Sequence, residues 1–271
     1  MQTPTRDTVL CISLAGRPGN FGVRFHNHLY RQLGLNYYYK ACTTGDLPAA
    51  VSGIRALGIR GCGVSMPFKE DCIALVDELD PSAQAIDSIN TLVNTDGHLK
   101  AYNTDYMAIR QLLLSHSVDP ARRFVLLGSG GMAKAVACAL RDAGFRNGVI
   151  VARNAEAGPA LAKACGYDWQ ATLGTLCAPL LINVTPVGME GGPQAGDLAF
   201  PAEVVEAAEQ VFDVVALPAE TPFIRLARQL GKAVITGYEV AAIQALEQFV
   251  LYTGVRPTDA QREAAAQYAR T

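Results

Sequence analysis

Residues 124–144 read FVLLGSGGMAKAVACALRDAG. Four apolar residues predict a short buried strand. Gly128, Ser129, Gly130, Gly131, Met132 and Ala133 then fit the pattern G-x-G-x-x-G/A, and an alanine-rich run predicts a helix up to Gly144. Small residues in such a turn allow a close backbone approach to a pyrophosphate. The helix N-terminus adds free N–H groups and a partial positive charge. The pattern gains meaning from its context, because a further strand, NGVIVARN (147–154), follows the helix. The plain alternative is a packing turn of an α/β protein.

The end of that second strand bears on the choice of dinucleotide. An acid there would bind the ribose 2′-hydroxyl of NAD. The strand ends in Arg153, with no acid. A guanidinium binds a 2′-phosphate and stacks on adenine, so NADP is favoured and NAD remains possible. A solvated arginine at a strand end is the alternative. Downstream, PLLINVT (179–185) predicts a strand that runs into NVTPVGM (183–189). In an open parallel sheet, ligands bind beyond the carboxyl ends of strands. Asn183 and Thr185 would then face the cleft, and Gly188-Met189 would let a flat ring approach. An ordinary turn explains the same residues. QVFDVVAL (210–217) and KAVITG (232–237) predict two further strands, with a helix at 221–231 between them.

Upstream lies a separate alternation. Strands are expected at 9–15, 35–44 and 59–66, with helices at 21–34 and from Asp46 to Leu57, where Gly58 is a stop signal. Residues 67–79, PFKEDCIALVDEL, predict a third helix with Pro67 in its first turn. SINTLVN (88–94) and HLKAYN (98–103) flank Thr-Asp-Gly, a hairpin signal. This order implies a lobe with a largely parallel sheet. A helix from Tyr106 to His116 leaves it, and DPARR (119–123) resembles a boundary. The tail carries two helical patterns, 239–254 and the final TDAQREAAAQYAR. The chain is thus expected to be α/β with two lobes.

Composition narrows the function. Of 271 residues, half are hydrophobic and 18% charged, as expected of a packed globule. A net charge of −2 gives no electrostatic case for nucleic acid or anionic membrane. No run of eighteen apolar residues predicts a membrane span. Seven scattered cysteines without C-x-x-C suggest free thiols in a reducing compartment. The start MQTPTRDTVLCISLAG lacks a basic region followed by a long apolar run, so a cytoplasmic protein is expected. His26 and His28 fit no metal-ligand spacing, and no metal is expected.

In the first lobe Lys69 follows a strand and a Met-Pro-Phe turn. Taken alone it would usually be a solvated helix lysine, and a proton-transfer group at the mouth of a cleft is the sharper alternative. Asp105, taken alone, is better read as a cap of the helix that begins near Tyr106. Asn90 would ordinarily be a turn or strand-edge residue.

Taken in order along the chain, these motifs resemble the shikimate dehydrogenases, in particular their shikimate dehydrogenase-like branch. The family's P-F-K-E stands at Pro67 to Glu70, its N-T-D at Asn103 to Asp105, and its G-x-G-G at Gly128 to Gly131. Its V-N-T is Ile89-Asn90-Thr91, and its N-R-T is Ala152-Arg153-Asn154. Its N-x-T-P-x-G-M spans Asn183, Thr185, Pro186, Gly188 and Met189, and its late glutamine is Gln244. The resemblance implies a substrate lobe of residues 1–104 with 239–271, and a Rossmann NADP lobe of residues 105–238. It implies that Lys69 and Asp105 form a proton-transfer pair in the reversible reduction of 3-dehydroshikimate to shikimate, a step of aromatic amino acid biosynthesis. Asn90 and Gln244 would bind substrate hydroxyls, and Gly237 would join the cofactor set. A small-molecule substrate and a monomer or homodimer are implied.

The departures from the family pattern are equally specific. The S-x-S serines that grip the substrate carboxylate are replaced by Asn20-Phe21-Gly22. Asn20 and Ser13 are the implied substitutes. The family's N-x-T before P-F-K is Gly63-Val64-Ser65, and Ala216 replaces a tyrosine. No basic residue follows Arg153 in Ala155-Glu156-Ala157. Shikimate, quinate or an amino analogue would fit. A methylenetetrahydrofolate dehydrogenase-type enzyme shares the two-lobe plan but matches the lysine–aspartate motifs less well. A ligand-sensing homologue without strong catalysis is the third reading.

Overall fold

The computed structural model describes residues 3–270. The chain divides into two compact units. One holds the described residues of Met1–Thr104 and Ala242–Thr271, and the other holds Asp105–Ala241.

The first unit begins with β1 (Val9–Leu14), α1 (Phe21–Gln32), β2 (Tyr37–Cys42), α2 (Leu47–Ala56) and β3 (Gly61–Val64). Asp46 accepts from the Ala49 N–H at 3.0 Å and so caps α2, which Gly58 ends with a φ of +63°. After β3 come a 3-10 helix (Asp71–Leu75), β4 (Glu78–Leu79), α3 (Pro81–Gln84), β5 (Thr91–Thr95) and β6 (His98–Tyr102). The sheet order is β2-β1-β3-β5-β6-β4. The sheet is mixed rather than largely parallel. β1 pairs in parallel with β2 and β3, while β5 runs antiparallel to both β3 and β6. The expected hairpin is present, with Asp96 and Gly97 at φ of +50° and +88°, which the tight turn requires.

The helix expected over 67–79 does not form. Residues 66–70 are turns, and the helical part shrinks to the five residues of the 3-10 helix. Tertiary contacts override the local pattern. Asp77 accepts the Leu99 N–H and pairs with Arg55, and Glu78 lies opposite Lys100 as a strand partner, with its carboxylate 2.7 Å from the ammonium.

β2 is an edge strand. The Asn27 side chain from α1 binds both the N–H and the C=O of Tyr39, at 2.9 and 2.8 Å, and so occupies its outward backbone groups. The core on one face of the sheet gathers Ile12, Leu14, Val51, Ile54, Ile89 and Leu92.

The second unit runs α4 (Thr104–Ser115), β7 (Phe124–Leu127), α5 (Gly131–Asp142), β8 (Gly148–Val151), α6 (Ala157–Cys165), β9 (Asp168–Gln170), β10 (Leu180–Asn183), α7 (Ala202–Ala207), β11 (Gln210–Asp213), α8 (Pro222–Gln229) and β12 (Ala233–Thr236). Its sheet order, β9-β8-β7-β10-β11-β12, is parallel throughout. In order of appearance this is 3-2-1-4-5-6, the doubly wound order with a switch point between β7 and β10. Its inner strands β7, β8 and β10 are almost wholly apolar, as expected of parallel strands buried on both faces. β9 and α7 escape sequence reading, since three and six residues are too short to show a period.

α9 (Gly237–Thr253) and α10 (Asp259–Arg270) complete the chain. α10 packs on α1 in the first unit, with the Tyr268 and His28 rings 4.9 Å apart. No helix of the described residues is long and apolar enough to cross a membrane. No group of metal-ligating side chains occurs among them.

Candidate active site

In the second unit the carboxyl ends of β7, β8 and β10 open onto a cleft of about 920 Å³. Of the candidate cofactor residues, Gly128, Ser129, Gly130, Arg153, Thr185 and Pro186 line it, beside Asn154 and Val187. Gly128 has a φ of +124°, and a Cβ there would lie 2.9 Å from Val184 and 3.2 Å from Thr185. Only glycine lets the first turn and the β10 loop share this wall. Gly130 caps α5 with no side-chain bond, so the helix starts with open N–H groups. Gly131, Met132 and Ala133 form its first turn.

Arg153 is exposed and makes no hydrogen bond or ion pair among the described residues. Asn154 accepts the N–H groups of Glu156 and Ala157 at 2.9 Å each and shapes the entry to α6. Four further lining residues, Ala171, Thr172, Leu173 and Gln194, carried no sequence signal. The first three follow the short strand β9, and Gln194 lies in a loop.

The other expected cofactor residues occupy supporting places. Asn183 is wholly buried at the end of β10. Its Oδ1 accepts from the Thr185 N–H and Oγ1, at 3.0 and 2.6 Å. Gly188 is buried against Thr221, and Met189 is 42% exposed. Gly237 packs against the backbone of Val214 and Val215.

In the first unit a polar network gathers at the ends of β3, β5 and β6. Asn90 Oδ1 accepts from Thr91 Oγ1, Thr104 N and Thr104 Oγ1, at 2.8, 2.8 and 3.0 Å. Gln244 Nε2 donates to Thr104 Oγ1 at 3.2 Å. Gln248, absent from the sequence expectations, donates to Thr91 Oγ1 and to the Asn90 carbonyl, at 2.9 and 3.2 Å. Its place one turn beyond Gln244 was the available signal. Asn90 Nδ2 meets no acceptor among the described residues.

Lys69 is half-buried in the turn after β3, its carbonyl accepting the Ile89 N–H at 3.2 Å. Asp105 is buried in the first turn of α4. Ser13 sits opposite Gly63 in the β1–β3 register, and Ser65 is exposed one residue past β3. Asn20 is exposed at the N-cap of α1 and makes no side-chain cap bond.

Gly63 explains one departure from the family. A Cβ here would stand 2.9 Å from the Tyr39 hydroxyl and 3.3 Å from Gln248 Nε2. The space of the usual asparagine is filled by a phenol from β2. The Tyr39 ring stacks on His26 at 4.4 Å. His26 is wholly buried, and burial lowers its pKa to about 3 against the opposing effect of the Gln248 side chain.

A parallel 3-2-1-4-5-6 sheet with an open glycine turn defines a Rossmann-type α/β protein. The sequence profile of the shikimate dehydrogenase substrate binding domain matches residues 21–92. A shikimate dehydrogenase-like protein of Haemophilus influenzae is 53% identical over 98% of both chains. A solved shikimate 5-dehydrogenase-like protein superposes with a TM-score of 0.96 at 52% identity, covering 99% of this chain and 100% of its own. The shikimate 5-dehydrogenase of Thermus thermophilus, solved in complex with NADP(H) and shikimate, gives a TM-score of 0.86 at 30% identity, covering 97% of this chain and 100% of its own. The chain belongs to the shikimate dehydrogenase family.

Proposed function

We propose that this chain is an NADP(H)-dependent oxidoreductase that interconverts 3-dehydroshikimate, or a closely related cyclic keto acid, with its alcohol. The observation that carries the reading is the cleft of the second unit. Its glycine turn, uncapped helix start and unpaired Arg153 offer donors to a pyrophosphate and a 2′-phosphate. NADPH, when bound, would supply the hydride. Lys69 would donate its proton to the carbonyl oxygen as negative charge develops there. Asp105 would fix the lysine and accept a substrate hydroxyl. Asn90 Nδ2, which has no acceptor among the described residues, would serve an oxygen of the substrate ring, and Gln244, tied to the same network, would serve a second one. The reading places the protein among soluble cytoplasmic enzymes.

Gly63, filled by Tyr39, and Asn20, in place of a serine, favour a shifted substrate within this class. The direct test is to incubate the protein with NADP⁺ or NAD⁺ and shikimate, quinate or amino analogues, and to follow cofactor reduction. Turnover with one of these acids supports the reading. Tight NADPH binding without turnover on any of them would favour a ligand-sensing role.

A further inference from the structure

Asp213 lies at the carboxyl end of β11, opposite Asn183 of β10 in the sheet register. Both side chains are wholly buried. Each group that meets the carboxylate is a donor: Asn183 Nδ2 at 2.9 Å and Val215 N at 3.1 Å on Oδ1, and Thr221 Oγ1 at 2.6 Å on Oδ2. Burial pushes the carboxyl up to about 6, while the three donors oppose that shift and favour the ionised form, which accepts from all three.

An ionised carboxylate can only accept, so it selects one orientation of the Asn183 amide. Nδ2 must face Asp213, and Oδ1 must then face Thr185. Thr185 gives both its N–H and its hydroxyl proton to that oxygen, and its Oγ1 takes the Val187 N–H at 3.3 Å. Asn183 Nδ2 also reaches the Val187 carbonyl at 3.3 Å. Thr185 and Val187 line the cleft, whereas Asp213 and Asn183 lie beneath it.

We propose that Asp213 is a positioning residue for the cofactor: by orienting the Asn183 amide, it holds the Thr185–Val187 wall in the shape that receives a nicotinamide dinucleotide. The proposal rests on the NADP(H) reading above. Thr221 serves Asp213 differently. It anchors the other oxygen and caps α8 through the Ile224 N–H at 3.2 Å.

The test is NADPH affinity by titration of Trp169 fluorescence, alongside melting temperature, in four variants. Trp169 is the only tryptophan and lies in β9, one residue before Gln170, which leads into the Ala171–Leu173 wall. Asp213→Ala should weaken NADPH binding about tenfold or more. Asp213→Asn keeps an acceptor for Asn183 and should stay within about threefold of wild type. Thr221→Val should lower the melting temperature yet leave NADPH affinity within about threefold. If Asp213→Ala does not fold, Asn183→Ala, which cuts only the relay, should show the same loss of affinity. Wild-type affinity in folded Asp213→Ala or in Asn183→Ala overturns the proposal, as does a loss of affinity that merely tracks melting temperature across all four. If the wild-type protein itself binds no NADPH, the cofactor reading fails, an outcome distinct from a wild type that binds and variants that bind equally well.

Discussion

Gln244 Nε2 donates to Thr104 Oγ1 across 140 positions of sequence. Thr104 in turn supplies two of the three donors that saturate Asn90 Oδ1. The returning helix α9 is therefore hydrogen-bonded into the end of the first sheet. Residues from distant segments become one polar cluster, and the cluster, rather than any single motif, orients the Asn90 amide.

Arg153 is the lone basic residue at the end of β8, with Glu156 in place of a second cation. Arg153→Asp should weaken NADPH far more than NADH, by about tenfold or more, since only NADPH carries the 2′-phosphate. Dissociation constants for both cofactors check this. Equal weakening of the two would remove the 2′-phosphate role.

Gly63→Asn restores the family's residue but drives it into the Tyr39 hydroxyl. Overpacking of this kind costs about 1–3 kcal/mol, so the melting temperature should fall. Tyr39→Phe, added in the same chain, removes the hydroxyl and should recover part of the loss. Thermal melts of the single and double variants decide the matter, and a single variant as stable as wild type would mean that the space is not filled as described.

His26 sets an acid limit. Its pKa is about 3 in the fold and about 6.5 when unfolded, so the unfolded chain binds the extra proton. The stability it contributes is complete above pH 6.5 and is lost as the pH falls from there toward 3, by on the order of 5 kcal/mol. Because burial is the main cause of the shift, His26→Phe should keep the stacking on Tyr39 and flatten this acid limb. Denaturant midpoints of both proteins between about pH 7 and pH 4 test it. Parallel pH profiles would contradict the assignment.

Much of the architecture was legible because it is local. The glycine turn lies between a strand and a helix, and Asp-Gly closes its hairpin. Residues 67–79 misled because the forces on them are not local. Arg55 and Lys100, distant in sequence, draw Asp77 and Glu78 out of a helical pattern. The site divides the same way. Gly128 and Arg153 are candidates by pattern and place, and Lys69 is a candidate by its motif. Gln248, Gln194 and the buried Asp213–Asn183 relay act through contacts that no spacing reveals. The filling of Gly63 by Tyr39 depends on a neighbouring strand, and so could not be read from the Gly-Val-Ser stretch alone.

In the proposed reaction Lys69 moves the proton while the second unit holds the cofactor. Its most direct measurement is single-turnover cofactor reduction by wild type and Lys69→Ala, with NADP⁺ and the best acid substrate, alongside NADPH titration of both proteins. Lys69→Ala should lose the chemical step by about a hundredfold or more, with NADPH affinity unchanged. A wild-type rate in that variant would contradict this role of Lys69.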